Sequence, residues 1–172
     1  MQAARLAACA WLAVGACAAS GQALAPPPAD WRELDAPPPP AFRMDRLIPL
    51  ETPRQLSLSF GVDADTLRID RDGVVRMVVV ASSRGGAVNA MYEGIRCLTG
   101  EYKVHARHFP DSGWNPVKDA QWRSVFDGAL GGHALVLAKS GVCRESAING
   151  SAQDILRDLK SPSAMRFGGS QP

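Results

Sequence analysis

Histidine is scarce in this chain: His105, His108 and His133 are the only three in 172 residues. His105 and His108 stand three apart in a stretch that reads as strand, which places them on opposite faces. No third ligand stands at a recognisable spacing, so no metal site is expected. Cysteine is also scarce, with Cys9 and Cys17 near the start and Cys97 and Cys143 in the body. No Cys-x-x-Cys occurs, which argues against a thioredoxin-like redox pair. No Gly-x-Ser-x-Gly nucleophile elbow is present. Arg84-Gly85-Gly86 is followed by neither Lys-Ser/Thr nor a helix start, so it is no phosphate loop. No catalytic residue, cofactor or cofactor-binding residue is therefore assigned. An excess of charge of one sign is missing too: 19 Lys and Arg against 17 Asp and Glu leave a net +2. A nucleic-acid binder would carry a basic face or a high pI, and none is expected here. No internal repeat is visible.

What is present begins with an export signal over residues 1–23. One cation, Arg5, precedes an uncharged run from Leu6 to about Ala19, followed by small residues and prolines. That charged, apolar, small order is the layout of a secretory leader. The run is shorter than the roughly 20 residues of a membrane-spanning helix. Two cleavage readings stay open. Val14-Gly15-Ala16-Cys17 fits the box before a lipidated cysteine, whose thiol would carry the lipid; cleavage after Ala23 makes Cys17 part of an ordinary leader. Attachment to a membrane is expected only through Cys17. The expected location is the periplasm or outer membrane of a Gram-negative bacterium.

Pro26–Pro28 and Pro37–Pro40 lie in residues 24–53, which read as an extended linker. Its first half is expected to be a spacer, and the part beyond Phe42 to lie against the domain. Residues 54–160 read as one domain, and 161–172 as a flexible tail.

The body alternates apolar and polar residues at Leu56–Phe60 and Thr66–Asp70, as half-buried strands do. Val74–Ala81 is valine-rich and strand-prone. Ser83-Arg84-Gly85-Gly86 reads as a hairpin turn; loops of two or four residues share the same faces, and four sets Arg76 opposite Glu93 and Met77 opposite Tyr92. A turn of odd length would destroy that register. Thr99-Gly100 then turns the chain into Glu101–Phe109, with Tyr102, Val104 and Ala106 on one face and Glu101, Lys103, His105 and Arg107 on the other. Asn115-Pro116 resembles a helix start, with Trp122, Val125, Phe126 and Ala129 as its apolar stripe. Ala134–Ala138 reads as a short strand. Ser151 and Asp154 resemble a capping box opening a last helix, with Ile155, Leu156 and Leu159 inward. The expectation is an α+β fold: an antiparallel meander of about five strands, two short packing helices and one disulfide. In an oxidising compartment the lone pair Cys97 and Cys143 would form that bond.

Arg76, Glu93, Arg96 and His105 form a candidate polar surface site bordering the exposed part of the sheet. Such a site is either a solvated face with cross-strand pairs or a place for an anionic ligand or partner.

The stretch from Asp72 to Cys97, DGVVRMVVVASSRGGAVNAMYEGIRC, together with Trp114, Trp122 and Cys143, resembles the cryptic neisserial protein-like family of bacterial envelope proteins. The resemblance spans roughly residues 31–160. Its most specific parts are Asp72-Gly-Val-Val-Arg76, Asn89 and Tyr92–Cys97. It implies an exported bacterial domain and brings no reaction, cofactor or catalytic residue with it. The first functional expectation is a non-enzymatic binding or structural module whose partner is another envelope protein or a cell-wall component. The alternative is a hydrolase-like enzyme using Glu93 and His105. A deep pocket holding Glu93 beside a perturbed neighbour would favour the enzyme, and flat, wet surroundings the module.

Overall fold

A computed structural model describes residues 30–52, 57–127 and 132–161. The expected export signal with Cys17, and the tail beyond Ser161, lie outside the described residues.

Among the described residues ten strands form: β1 Leu47–Leu50, β2 Leu58–Asp63, β3 Arg68–Ile69, β4 Val75–Ser83, β5 Val88–Arg96, β6 Glu101–Phe109, β7 Gly113–Pro116, β8 Arg123–Ser124, β9 Cys143–Arg144 and β10 Ala147–Ile148. The first eight make one antiparallel sheet in the order β1-β2-β4-β5-β6-β7, with β3 beside β4 and β8 beside β6. The expected meander is its centre, β4-β5-β6, and the sheet is larger than the five strands anticipated. β9 and β10 form a separate ribbon. α1 spans Gly132–Leu137 and runs into a wider π-helical turn over Ala138–Val142; α2 spans Ala152–Lys160.

The sheet is covered on both sides. On one face Val75, Met77, Val79, Met91 and Ile95 pack with Ala134, Leu137, Ile155 and Leu159 from the helices. On the other, Val78, Val80, Ala90, Tyr92 and Ala106 pack beneath Ala36, Phe42, Leu47 and Trp114. From Asp30 onward, where the structure describes it, the proline-rich stretch lies along the sheet as a strap, including the part beyond Phe42. Trp31 Nε1 already donates to the Asp72 carbonyl at 2.8 Å, and β1 lies within the expected linker. Proline keeps this segment extended, and its aromatic side chains find the valine face.

The hairpin register differs from expectation. Ser83 N–H donates to Ala87 O at 2.9 Å, so only Arg84, Gly85 and Gly86 lie beyond the ladder. Gly86 takes a φ of +85°, the left-handed conformation that ends a three-residue hairpin loop. Met77 consequently faces Glu93, and Arg76 faces Gly94. Because side chains alternate with period two, a one-residue change sends Arg76 and Glu93 to opposite faces. A second irregularity follows in β6. Tyr92 pairs with Ala106 but Glu93 with Val104, which leaves His105 as a bulged extra residue. Tyr102 and Val104 stay on the helix face, while Ala106 joins His105 on the strap face.

Two further expectations are corrected. Asn115 begins no helix: its side-chain amide donates to Ser112 Oγ and Gly113 O, closing a turn. Pro116 ends an edge strand, where its missing N–H costs nothing. Within the expected stripe, Val125 is buried and Phe126 is 62% exposed, and Ala129 lies outside the described residues. Ala134–Ala138 is helical rather than extended, since a short apolar run does not by itself distinguish the two. The last helix begins as read: Ser151 and Asp154 form a reciprocal capping box, and Ile155 and Leu159 are buried. Cys97 and Cys143 are bonded, with Cα atoms 5.5 Å apart. The bond ties the end of β5 to the chain after the π-helical turn.

Candidate functional site

The four residues expected to share a polar surface are divided between two buried places. Arg76, Glu93 and Arg96 are all buried, because the strap and the helices cover what an open sheet would leave wet. Arg76 and Arg96 belong to the strap face with His105; Glu93 belongs to the helix face.

On the strap face, Arg76 lies between two aspartates. Its Nη1 donates to Asp70 Oδ2 at 2.7 Å and to Asp72 Oδ1 at 3.1 Å, and its Nη2 to Asp72 Oδ2 at 2.9 Å. Burial alone would raise the Asp72 carboxyl. The Arg76 guanidinium and the amides of Val74 and Leu34 outweigh it, so the group titrates below the usual carboxylate range. Glu33 of the strap completes the arrangement. It accepts from Lys103 Nζ at 2.8 Å and Trp122 Nε1 at 3.1 Å, and lies 3.6 Å from Arg76 and 3.8 Å from His105. The Arg96 guanidinium sits 4.0 Å over the Trp31 ring, a cation–π contact, and its Nε donates to Thr99 Oγ1 at 2.7 Å. Burial, then the Arg76 charge, pushes His105 down to about 4. Its Nε2 has no hydrogen-bond partner among the described residues. Arg76, Asp72, Arg96 and Lys103 each contact the strap, through Leu34, Trp31 or Glu33, and His105 lies beside Glu33, which accounts for Arg76, Arg96 and His105 structurally.

The β6 bulge also puts His105 and His108 on the same face, contrary to simple alternation. They are not brought together as ligands. His105 lies beside Tyr92 and Trp122, and His108 beside Phe42 and Trp114. Among the described residues no group of three or more His, Cys, Asp or Glu is placed to hold a metal ion.

The helix face contains a cleft of about 540 Å³, within the size range of small-molecule sites. Glu93 lies at its floor, fully buried, with His133 of α1. The His133 Nε2 is 3.0 Å from both Glu93 carboxylate oxygens. The imidazole is stacked on Phe60, with centroids 4.7 Å apart and planes 7° apart, and meets the edge of Tyr102. Burial lowers the imidazole pKa, but the charge and hydrogen bond of Glu93 more than offset this, so His133 titrates above its ordinary value. Burial, followed by the Glu93 charge, raises the Tyr102 phenol, while Arg123 and Arg107 oppose that rise. Phe60, Met91 and Val104 line the cleft with apolar surface, and Arg107, Lys118 and Arg123 supply cations.

Residues 117–123 connect the two places. Val117 to Gln121 and Arg123 line the cleft, while Trp122 turns to the strap face and bonds Glu33. Sequence reading missed His133, Glu33, Asp70 and Asp72. The aspartates carried a local cue, since they lie in the turn just before an apolar run broken only by Arg76. Nothing local announced His133, whose partner is forty positions away in the chain.

A family model described as the CNP1-like family matches residues 27–160. The chain belongs to the CNP1-like family. No curated protein and no solved structure gives a match. The CNP1-like region begins just before Trp31 and ends at the last residue of α2. It thus takes in the strap, the sheet, the disulfide and the cleft as one unit. Among the described residues, no helix of this CNP1-like chain is long and apolar enough to cross a membrane.

Proposed function

We propose that the protein is an exported envelope protein acting as a non-enzymatic binding module, with the cleft over Glu93 and His133 as its ligand site. The cleft itself carries the reading. It is preformed, its lining is apolar and polar in nearly equal parts, and Glu93 and His133 at its floor satisfy one another, so a ligand can cover them without stranding a buried charge. Export to a Gram-negative periplasm or outer membrane is supported by the leader-like order of residues 1–23, and the disulfide is compatible with it. The partner delivering or receiving the ligand would be another envelope protein or a cell-wall component. Membrane attachment rests on Cys17, and labelled palmitate that failed to enter the wild type would remove it.

The test is a thermal-shift screen with small apolar and amphipathic compounds. Hits are expected to stabilise the wild type, and Asn89→Trp, which fills the cleft from its exposed edge, is expected to abolish the shift. Equal shifts in both proteins would place binding elsewhere and refute the assignment.

One observation favours a second reading, an acid–base enzyme. Glu93 does sit in a cleft beside a histidine with a raised pKa, a condition that favours an enzyme. The pair is Glu93 with His133, whereas His105, expected as the partner, lies across the sheet. Turnover of an ester or amide panel that vanished in Glu93→Gln, with folding intact, would establish this reading over the first.

A further inference from the structure

Building on the assignment of the cleft as a ligand site, we infer that its ligand is a small amphipathic organic acid, an apolar body carrying one carboxylate. The apolar part of the cleft is its floor, where Phe60, Met91 and Val104 surround the Glu93–His133 pair. That pair is mutually engaged, with His133 Nε2 3.0 Å from both Glu93 carboxylate oxygens. The wall is different. Arg107 is half-buried on β6, Arg123 stands on β8, and Lys118 is on the connecting loop. None of the three has an ion-pair partner among the described residues. Both guanidinium groups oppose the rise of the Tyr102 phenol, which also lines the cleft, Arg107 the less. Against these cations the lining holds two acids, Glu93, already engaged by His133, and Asp119 beside Lys118 at the outer rim.

The physical consequence is a preference for sign. A ligand that covers the cleft removes water from the half-buried Arg107. A neutral body would leave that guanidinium less solvated and still unpaired, which is costly. A cation would add repulsion. A carboxylate provides the missing counter-charge in the fork geometry that guanidinium favours. A bare inorganic anion would satisfy the wall but leave the apolar floor wet, so the apolar body is as much a part of the specification as the charge.

Isothermal titration of the full oxidised protein with octanoate, octanol and octyltrimethylammonium, each below its aggregation threshold, tests this. Octanoate is expected to bind at least ~tenfold more tightly than octanol, with the cation weakest. Arg107→Gln combined with Arg123→Gln is expected to erase the octanoate advantage by weakening octanoate, with octanol binding as tightly as to the wild type or more tightly. Octanol binding as tightly as octanoate to the wild type would overturn the acid preference while leaving the cleft assignment standing. Failure of all three to bind would overturn the cleft assignment together with it. Octanoate binding insensitive to both the arginine changes and Asn89→Trp would place the acid elsewhere and also overturn the inference.

Discussion

Replacing Arg76 by methionine removes the buried cation held by Asp70 and Asp72. The methionine can follow the aliphatic part of the arginine through the valine core, so the perturbation is mainly electrostatic. It leaves Asp72, whose side chain is fully buried, and Asp70, whose side chain is 11% exposed, without the guanidinium. Removing one partner of a buried pair costs about 3–5 kcal/mol. The lower end applies, because Asp70 keeps Arg68 at 2.7 Å and Asp72 keeps the amides of Val74 and Leu34. A loss of about 3 kcal/mol lowers the midpoint of thermal unfolding by roughly 10–15 °C in a domain of this size. Urea titration of the oxidised protein measures it. Far-UV circular dichroism reports the sheet, and tryptophan fluorescence reports the strap face, where Trp31, Trp114 and Trp122 lie. Arg76→Lys, which keeps the charge but loses the fork, is expected to fall between the two proteins. If Arg76→Met lost less than about 1 kcal/mol, the value of an exposed ion pair, the account of a desolvated clamp would be refuted.

Three other outcomes follow from the geometry. The folded pKa of His105, about 4, lies below its ordinary value of 6.5, so the unfolded chain binds the extra proton and stability falls as pH drops from about 6.5 to 4. His105→Phe, which also removes the unpartnered Nε2, is expected to flatten that limb and gain on the order of 2 kcal/mol relative to wild type at about pH 5; an unchanged acid limb in urea titrations across that range would contradict the assignment. A Cβ at Gly94 would lie 2.8 Å from Val74 Cγ1 and 2.9 Å from His105 Nε2, so Gly94→Ala is expected to cost about 1–3 kcal/mol, and an unaltered unfolding midpoint would show that the bulge yields freely. Replacing both Cys97 and Cys143 by alanine opens a crosslink of sequence separation 46 and is expected to cost roughly 4 kcal/mol on the chain-entropy account; a loss below about 1 kcal/mol in denaturant titration would mean that the unfolded chain is little constrained by the bond.

Much of the centre of the fold was legible. Strand-prone valine, a Gly-rich turn and clean alternation after Thr99-Gly100 mark β4, β5 and β6, and these are local features. The apolar character of Val74–Ala81, interrupted only at Arg76, held further information that simple alternation overlooked. A strand that is apolar at nearly every position is one buried on both faces, and the strap buries the second. Read that way, Arg76 could not have been a wet residue, and acids to hold it should have been sought nearby, where Asp70 and Asp72 stand. The candidate site was less legible. Glu93 was singled out, but with the wrong histidine, because its true partner lies on a helix whose short apolar run resembles a strand.

The sequence alone determined which segments pair in the central meander, where the last helix begins and which cysteines bond. Each of these depends on local periodicity, a local cap or a simple count. Only the tertiary structure decided on which side of the sheet each polar residue stands. That depends on the parity of the Arg84–Gly86 loop, on the extra residue at His105 and on the strap that covers one face. A single residue more or less in a turn reverses every side chain beyond it. When both faces are apolar, the hydrophobic pattern is the same for either register. The separation of the Arg76 clamp from the Glu93–His133 cleft was therefore settled by backbone geometry at two positions, a left-handed glycine and a bulge, rather than by the pattern of residues.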